Sequence, residues 1–113
     1  MADKALEALF EGRNPVVSKI HDALTKKLAR FGPVRANAKK TSIHLVAKTG
    51  FAGVHPRKDS VLLNIRTAAP LKAKRVRKAE QVSANRWHNE ILLSDATEID
   101  DQLVGWLQEA HRL

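Results

Sequence analysis

Hydrophobic positions along this chain switch period more than once. Between residues 15 and 31, Val17, Ile20, Leu24, Leu28 and Phe31 recur at three- and four-residue steps, with Lys19, Asp22, Lys26 and Arg30 opposite them. That is the stripe of an amphipathic helix. Asn14 as N-cap and Pro15 at the first helical position define its start, and Gly32-Pro33 its end. From 41 to 67 the period drops to two. Ile43, Leu45 and Ala47 alternate with Ser42, His44 and Lys48; farther on, Val61, Leu63 and Ile65 alternate with Leu62, Asn64 and Arg66. Three such runs with short links predict an antiparallel meander, because parallel neighbours need long crossovers.

Within the meander, Thr49-Gly50 reads as a two-residue hairpin loop. That register sets Leu45 opposite Val54 and His44 opposite His55. It leaves Phe51 on the more polar face, a mismatch that a β-bulge or a three-residue loop removes. Pro56-Arg57-Lys58-Asp59 ends the second strand, since proline cannot donate to a ladder.

Helical spacing returns at the ends. Residues 3–11 predict a short helix carrying Leu6, Leu9 and Phe10, stopped by Gly12. Asp95-Ala-Thr-Glu98 matches a capping box and predicts a last helix over 96–112, with Ile99, Leu103, Trp106, Leu107 and Ala110 buried. Between these, 34–40 reads as an edge strand or loop, and 68–78 as a connector with a short strand around Val76. Residues 80–84 and 86–93 read as strands flanking a turn near Asn85. The expected architecture is a single α+β domain over 1–113. It has two layers: an antiparallel β-meander sheet packed on one face by the N- and C-terminal amphipathic helices. The pattern leaves open what covers the other face.

Composition narrows the chemistry. The absence of cysteine excludes a disulfide framework and a thiolate metal site. No apolar run approaches the roughly 20 residues of a membrane helix, and the acidic, amphipathic N-terminus lacks the apolar core of a secretory signal. A soluble, cytoplasmic protein without membrane contact is expected. The net charge of +8 is unevenly spread: residues 13–88 hold 18 Lys/Arg against Asp22, Asp59 and Glu80, a net +15, while both ends are acidic. A basic body of this kind points to an anionic partner.

Several stretches resemble a family of small bacterial domains of unknown function, members of which are sometimes labelled "predicted transport protein". The resemblance rests on Gly12 and Pro15, on Thr41 with the apolar run after it, and on Phe-Ala-Gly-Val-His-Pro-Arg-Lys at 51–58. Leu103, Trp106, Leu107 and Ala110 complete it. It implies an α+β fold and no established activity. Relatives often carry a glycine-rich turn beside a Trp-His pair near the penultimate strand; here Trp87-His88 follows Ala84-Asn85-Arg86, without those glycines.

Candidate chemistry follows from residue type. No phosphate-cradling glycine loop, zinc-helix motif or nucleophile elbow is present, so no catalytic residue or cofactor is assigned and an enzyme is not expected. The expected function is a non-enzymatic module binding a polyanion, either a nucleic-acid backbone or an acidic protein surface. Its expected contacts are Lys39, Lys40, Lys48 and Arg66 around the meander, and Lys72, Lys74, Arg75, Arg77 and Lys78 in the basic connector. The alternative is a small-ligand or enzymatic pocket between sheet and helices, lined by His44, His55, Trp87 and His88. Three imidazoles can hold zinc, but a basic setting disfavours a divalent cation, and no stoichiometric metal is expected.

Overall fold

A computed structural model describes residues 8–30, 32, 34–47 and 50–112. Helix α1 (Pro15–Leu28) leads into six strands: β1 (Arg35–Ala38), β2 (Ile43–Val46), β3 (Gly50–Pro56), β4 (Val61–Thr67), β5 (Val76–Ser83) and β6 (Arg86–Leu93). A 3-10 turn (Ala96–Glu98) and helix α2 (Asp101–Arg112) follow. The helix expected over 3–11 falls mostly on residues outside those described, as does the predicted end of α1 at Phe31.

Asn14 caps α1 as predicted, its Oδ1 accepting the Val16 N–H at 3.0 Å. The stripe Val17, Ile20, Leu24 and Leu28 is buried, together with His21, one step from it on the same face. At the other end two aspartates divide the work. Asp95 Oδ1 accepts the Thr97 N–H at 2.9 Å, and Glu98 Oε1 accepts the Ser94 N–H at 2.8 Å. This cap closes only the 3-10 turn. Asp100 then caps α2, accepting the Leu103 N–H at 3.0 Å. The last helix therefore begins at Asp101 and not at residue 96. Ile99, with φ −83° and ψ 77°, leaves helical geometry to bury its side chain between the two caps.

The strands form one sheet in the order β1-β2-β3-β4-β6-β5, every neighbouring pair antiparallel. The meander over β2–β4 is as expected. Beyond it, β6 and not β5 pairs with β4, so residues 68–75 must cross over to place β5 at the edge. The first hairpin also differs in register. Ile43 faces Val54 and His44 faces Gly53, then a bulge between Leu45 and Val46 brings Val46 opposite Gly50. The extra residue is Phe51. The bulge frees its ring to turn to the helix layer, where it is 1% exposed and lies edge-on to His111 of α2 with centroids 5.4 Å apart. Bulges add a residue to one strand and re-aim its side chain, which resolves the mismatch read from strict alternation.

Both helices pack on one face of the sheet. Ile43, Leu45, Val54, Val61, Leu63, Ile65, Ile91 and Leu93 meet Val17, Ile20, Leu24, Leu28, Leu103, Leu107 and Ala110 in one core. Trp106 lies half-buried at its margin. Among the described residues no helix is long and apolar enough to cross a membrane.

Candidate functional site

Strand alternation sends every second side chain to the face turned away from the helices. Register then decides which of them meet. One line across the sheet runs His44, Gly53, Asn64, Glu90 and Lys78; the next toward the β4 C-terminus holds Arg66, His88 and Glu80. Here the sheet is hollowed into a cleft of about 230 Å3, lined by His44, His55, Asn64, Arg66, Arg86 and His88 together with Gly50 and Gly53.

Gly53 shapes the hollow. A Cβ built there would lie 3.5 Å from Nε2 of His55 and 3.9 Å from Cβ of Asn64, so the His55 ring leans over a position with no side chain. Burial lowers the His55 pKa below the usual histidine value. His44 and Arg57 push the same way, and Glu90 opposes them. The Arg66 guanidinium is lowered from its usual range by burial and then by Arg86. Two cations and two imidazoles are thus close enough to repel one another, and no carboxylate stands among the described residues lining the cleft. Two acids stand in register with the lining: Glu90 beside Asn64, and Glu80, paired with Lys78, beside His88.

The residues expected to grip a polyanion are dispersed. Arg66 lies in the cleft. Lys39 and Lys40 are exposed in the β1–β2 turn, and Lys48 lies outside the described residues. Lys72 and Lys74 are exposed on the crossover. Arg75 is committed elsewhere: its Nη1 donates to Asp100 at 2.8 and 2.9 Å, and its Nη2 to the Glu98 carbonyl at 2.5 Å. Arg77 falls at a bulge in β5 and is exposed. Lys78 pairs with Glu80 at 3.0 Å on the exposed surface. Among the connector cations Arg75 is turned to the helix side, whereas Lys78 shares the open-face line of Glu90 and Asn64.

The alternative set is partly assembled. His44, His55 and His88 do share the cleft, but on the face opposite the helices, because even-numbered positions of β2 and β6 point away from the core. A pocket between sheet and helices lined by these histidines is therefore not what the fold builds. Trp87 alternates to the other face, in register with Thr67 and Gln81. The groove that does lie between α1 and β1–β2 is lined by Thr25, Leu28, Ala29, Gly32, Val34, Ala36 and Leu45, and no titratable group stands among these. Among the described residues no group of three His, Asp or Glu side chains has the arrangement of a metal site.

Two residues escaped sequence reasoning. Arg86 reads only as the first residue of a strand, yet it lines the cleft together with Arg66. Asn89 is fully buried on the helix side of β6: its Nδ2 donates to the Ile65 carbonyl at 3.0 Å and to Thr67 Oγ1 at 2.8 Å, and its Oδ1 accepts the Leu71 N–H at 3.0 Å. The available signal was its place at i−2 from Ile91, on the apolar side of the strand. Asn89 holds the start of the crossover and Arg75 holds its end.

The model of a family described as Domain of unknown function (DUF5655) matches the chain over residues 6–113. No curated protein and no solved structure matches it.

Proposed function

Because the chain belongs to the DUF5655 family, whose description carries no activity, its role must be argued from its own surface, and we propose that it is a non-enzymatic binding module for a polyanion, with the open sheet face as its contact surface. One observation carries the reading: Arg66 and Arg86 converge with His44, His55 and His88 on a single cleft whose described lining contains no carboxylate. Bringing like charges together costs free energy, and an anion in the cleft offsets that cost. Asn64 adds an amide able to donate to the same ligand. The exposed Lys39, Lys40, Lys72 and Lys74 extend the positive field that steers an anionic partner toward the molecule.

A nucleic-acid backbone fits this surface better than base-reading does. Bases are read on single strands by stacking on aromatic side chains, and among the described residues lining the cleft there is no Trp or Tyr and the one Phe, Phe51, has its ring buried against α2. Contacts led by phosphate give weak sequence preference and strong salt dependence.

Fluorescence anisotropy with a labelled single-stranded oligonucleotide, a duplex and poly-glutamate tests the proposal. Single-strand binding at micromolar strength or weaker is expected. If two or three phosphates are neutralised, the slope of log affinity against log salt is roughly −1.5 to −2. Arg86→Gln flattens that slope; substituting Lys72 and Lys74 by Gln changes it less. Binding of poly-glutamate alone reassigns the partner to an acidic protein. Binding of none of the three at low salt removes the proposal.

A further inference from the structure

The cleft restricts the kind of anion it can take. Its volume of about 230 Å3 is below the roughly 300–1,000 Å3 of pockets that enclose a drug-sized ligand. It has room for one charged group and little more. Its donors are numerous for that volume: the guanidiniums of Arg66 and Arg86, the Asn64 amide, and at least one N–H from each imidazole of His44, His55 and His88. A phosphodiester passing along a chain presents two non-bridging oxygens and one charge. A phosphomonoester presents three acceptor oxygens and, near neutral pH, close to two charges. Guanidiniums grip such groups bidentately.

We infer that the cleft is a receptor for a terminal phosphate, a phosphomonoester held by Arg66 and Arg86 with the three histidines and Asn64 completing its hydrogen bonds. The inference rests on the open face being the contact surface and goes further, since it makes a phosphorylated end, not the length of a polyanion, the recognised feature. The surroundings agree. Gly53 leaves its part of the lining without a side chain, so the phosphate approaches the β3 backbone. Glu90, on the neighbouring position of β6, acts on His55 from outside the cleft lining and not from the ligand position. Arg57, in the β3–β4 turn, adds positive charge near His55.

The test compares one short single-stranded oligonucleotide with a 5′-phosphate and with a 5′-hydroxyl, labelled at the other end. Adenosine monophosphate and inorganic phosphate are titrated separately while the histidine ring resonances are followed by NMR. The phosphorylated strand is expected to bind about tenfold tighter, the factor that corresponds to about 1.4 kcal/mol. Arg66→Gln and Arg86→Gln should each erase that preference. Arg86 is exposed, so its variant carries the test even where replacing the half-buried Arg66 lowers stability. Equal affinity for the two strands overturns the terminal-phosphate inference and leaves the binding surface standing. If neither strand binds but adenosine monophosphate shifts the His44, His55 and His88 resonances, the receptor stands and the polynucleotide partner falls. No binding and no shifts overturn both.

Discussion

Nε2 of His55 lies 3.5 Å from the point where a Cβ on Gly53 would sit, so the missing side chain at 53 leaves the space over which the imidazole leans. Gly53 is not at a positive φ, which means its role is spatial and not conformational. Gly53→Ala places a methyl at ordinary contact distance and should leave stability unchanged or raise it by up to about 1 kcal/mol. Gly53→Leu should displace the ring and fill the hollow. Thermal melts and phosphate titrations on the two variants check this: retained folding with lost anion binding in the leucine variant is the expected result, and unaltered binding in both would show that the hollow is not the site.

Acidification should strengthen anion binding at the cleft. His55 is held below the usual histidine pKa by burial first, then by His44, with Glu90 opposing. An anion favours its protonated form, so binding takes up a proton and affinity rises as pH falls below about 6.5. Sulfate is the suitable probe because it stays a dianion throughout. Calorimetry in two buffers of different ionisation enthalpy should show proton uptake that His55→Gln reduces; identical heats in both buffers would contradict the prediction.

Global stability should move the opposite way with pH, for a different reason. His21 is 5% exposed, its Nδ1 has no hydrogen-bond partner among the described residues, and its ring packs on Phe10 with centroids 5.1 Å apart. Burial depresses its pKa, and Asp22 opposes only in part. The unfolded chain therefore binds the proton more readily. The stability linked to this residue is complete above about pH 6.5 and is lost as pH falls through the lower, folded-state value. His21→Leu should remove that share of the slope: urea melts of the two proteins should diverge below pH 6.5 in favour of the variant. Parallel pH profiles would mean that His21 titrates normally.

Asn89→Leu should destabilise by about 1–3 kcal/mol, since it strands the Leu71 N–H that Asn89 satisfies and removes its bonds to the Ile65 carbonyl and Thr67 Oγ1. Hydrogen exchange separates this from a simple packing loss. Only the amide of Leu71 and its neighbours on the crossover should accelerate beyond the change expected from global stability.

Arg75→Gln should act on folding more than on ligand binding. The side chains of Arg75 and Asp100 are 22% and 52% exposed, so solvent screens the pair and about 0.5–1 kcal/mol is expected for it. A double-mutant cycle with Asp100→Asn measures that coupling. The oligonucleotide affinity of Arg75→Gln should stay within about twofold of the parent, because the guanidinium is turned to α2. A loss as large as that of Arg86→Gln would return Arg75 to the contact surface.

Much of this architecture is written in local pattern. The 3.6-residue stripe from Val17 to Leu28 and the alternation from Ile43 to Ile65 each encode an element whose buried face follows from its own periodicity. Asn14 and Asp95 announce caps through side chains that reach backbone donors two residues away. What the sequence could not determine depends on contacts distant along the chain. Beside β4, β6 is tied by Asn89, which donates to the Ile65 carbonyl and Thr67 Oγ1 and accepts the Leu71 N–H. The start of α2 depends on Asp100, whose capping role competes with that of Asp95 and is reinforced by Arg75. The cleft is the clearest case: the β2–β3 register, with Phe51 as the extra residue of the bulge opposite Leu45 and Val46, sets His44 opposite Gly53 and not His55. Four strands must then pair before His44, His55, Arg66, Arg86 and His88 share a surface. Periodicity names the face a side chain occupies, but only the register of the assembled sheet decides its neighbours.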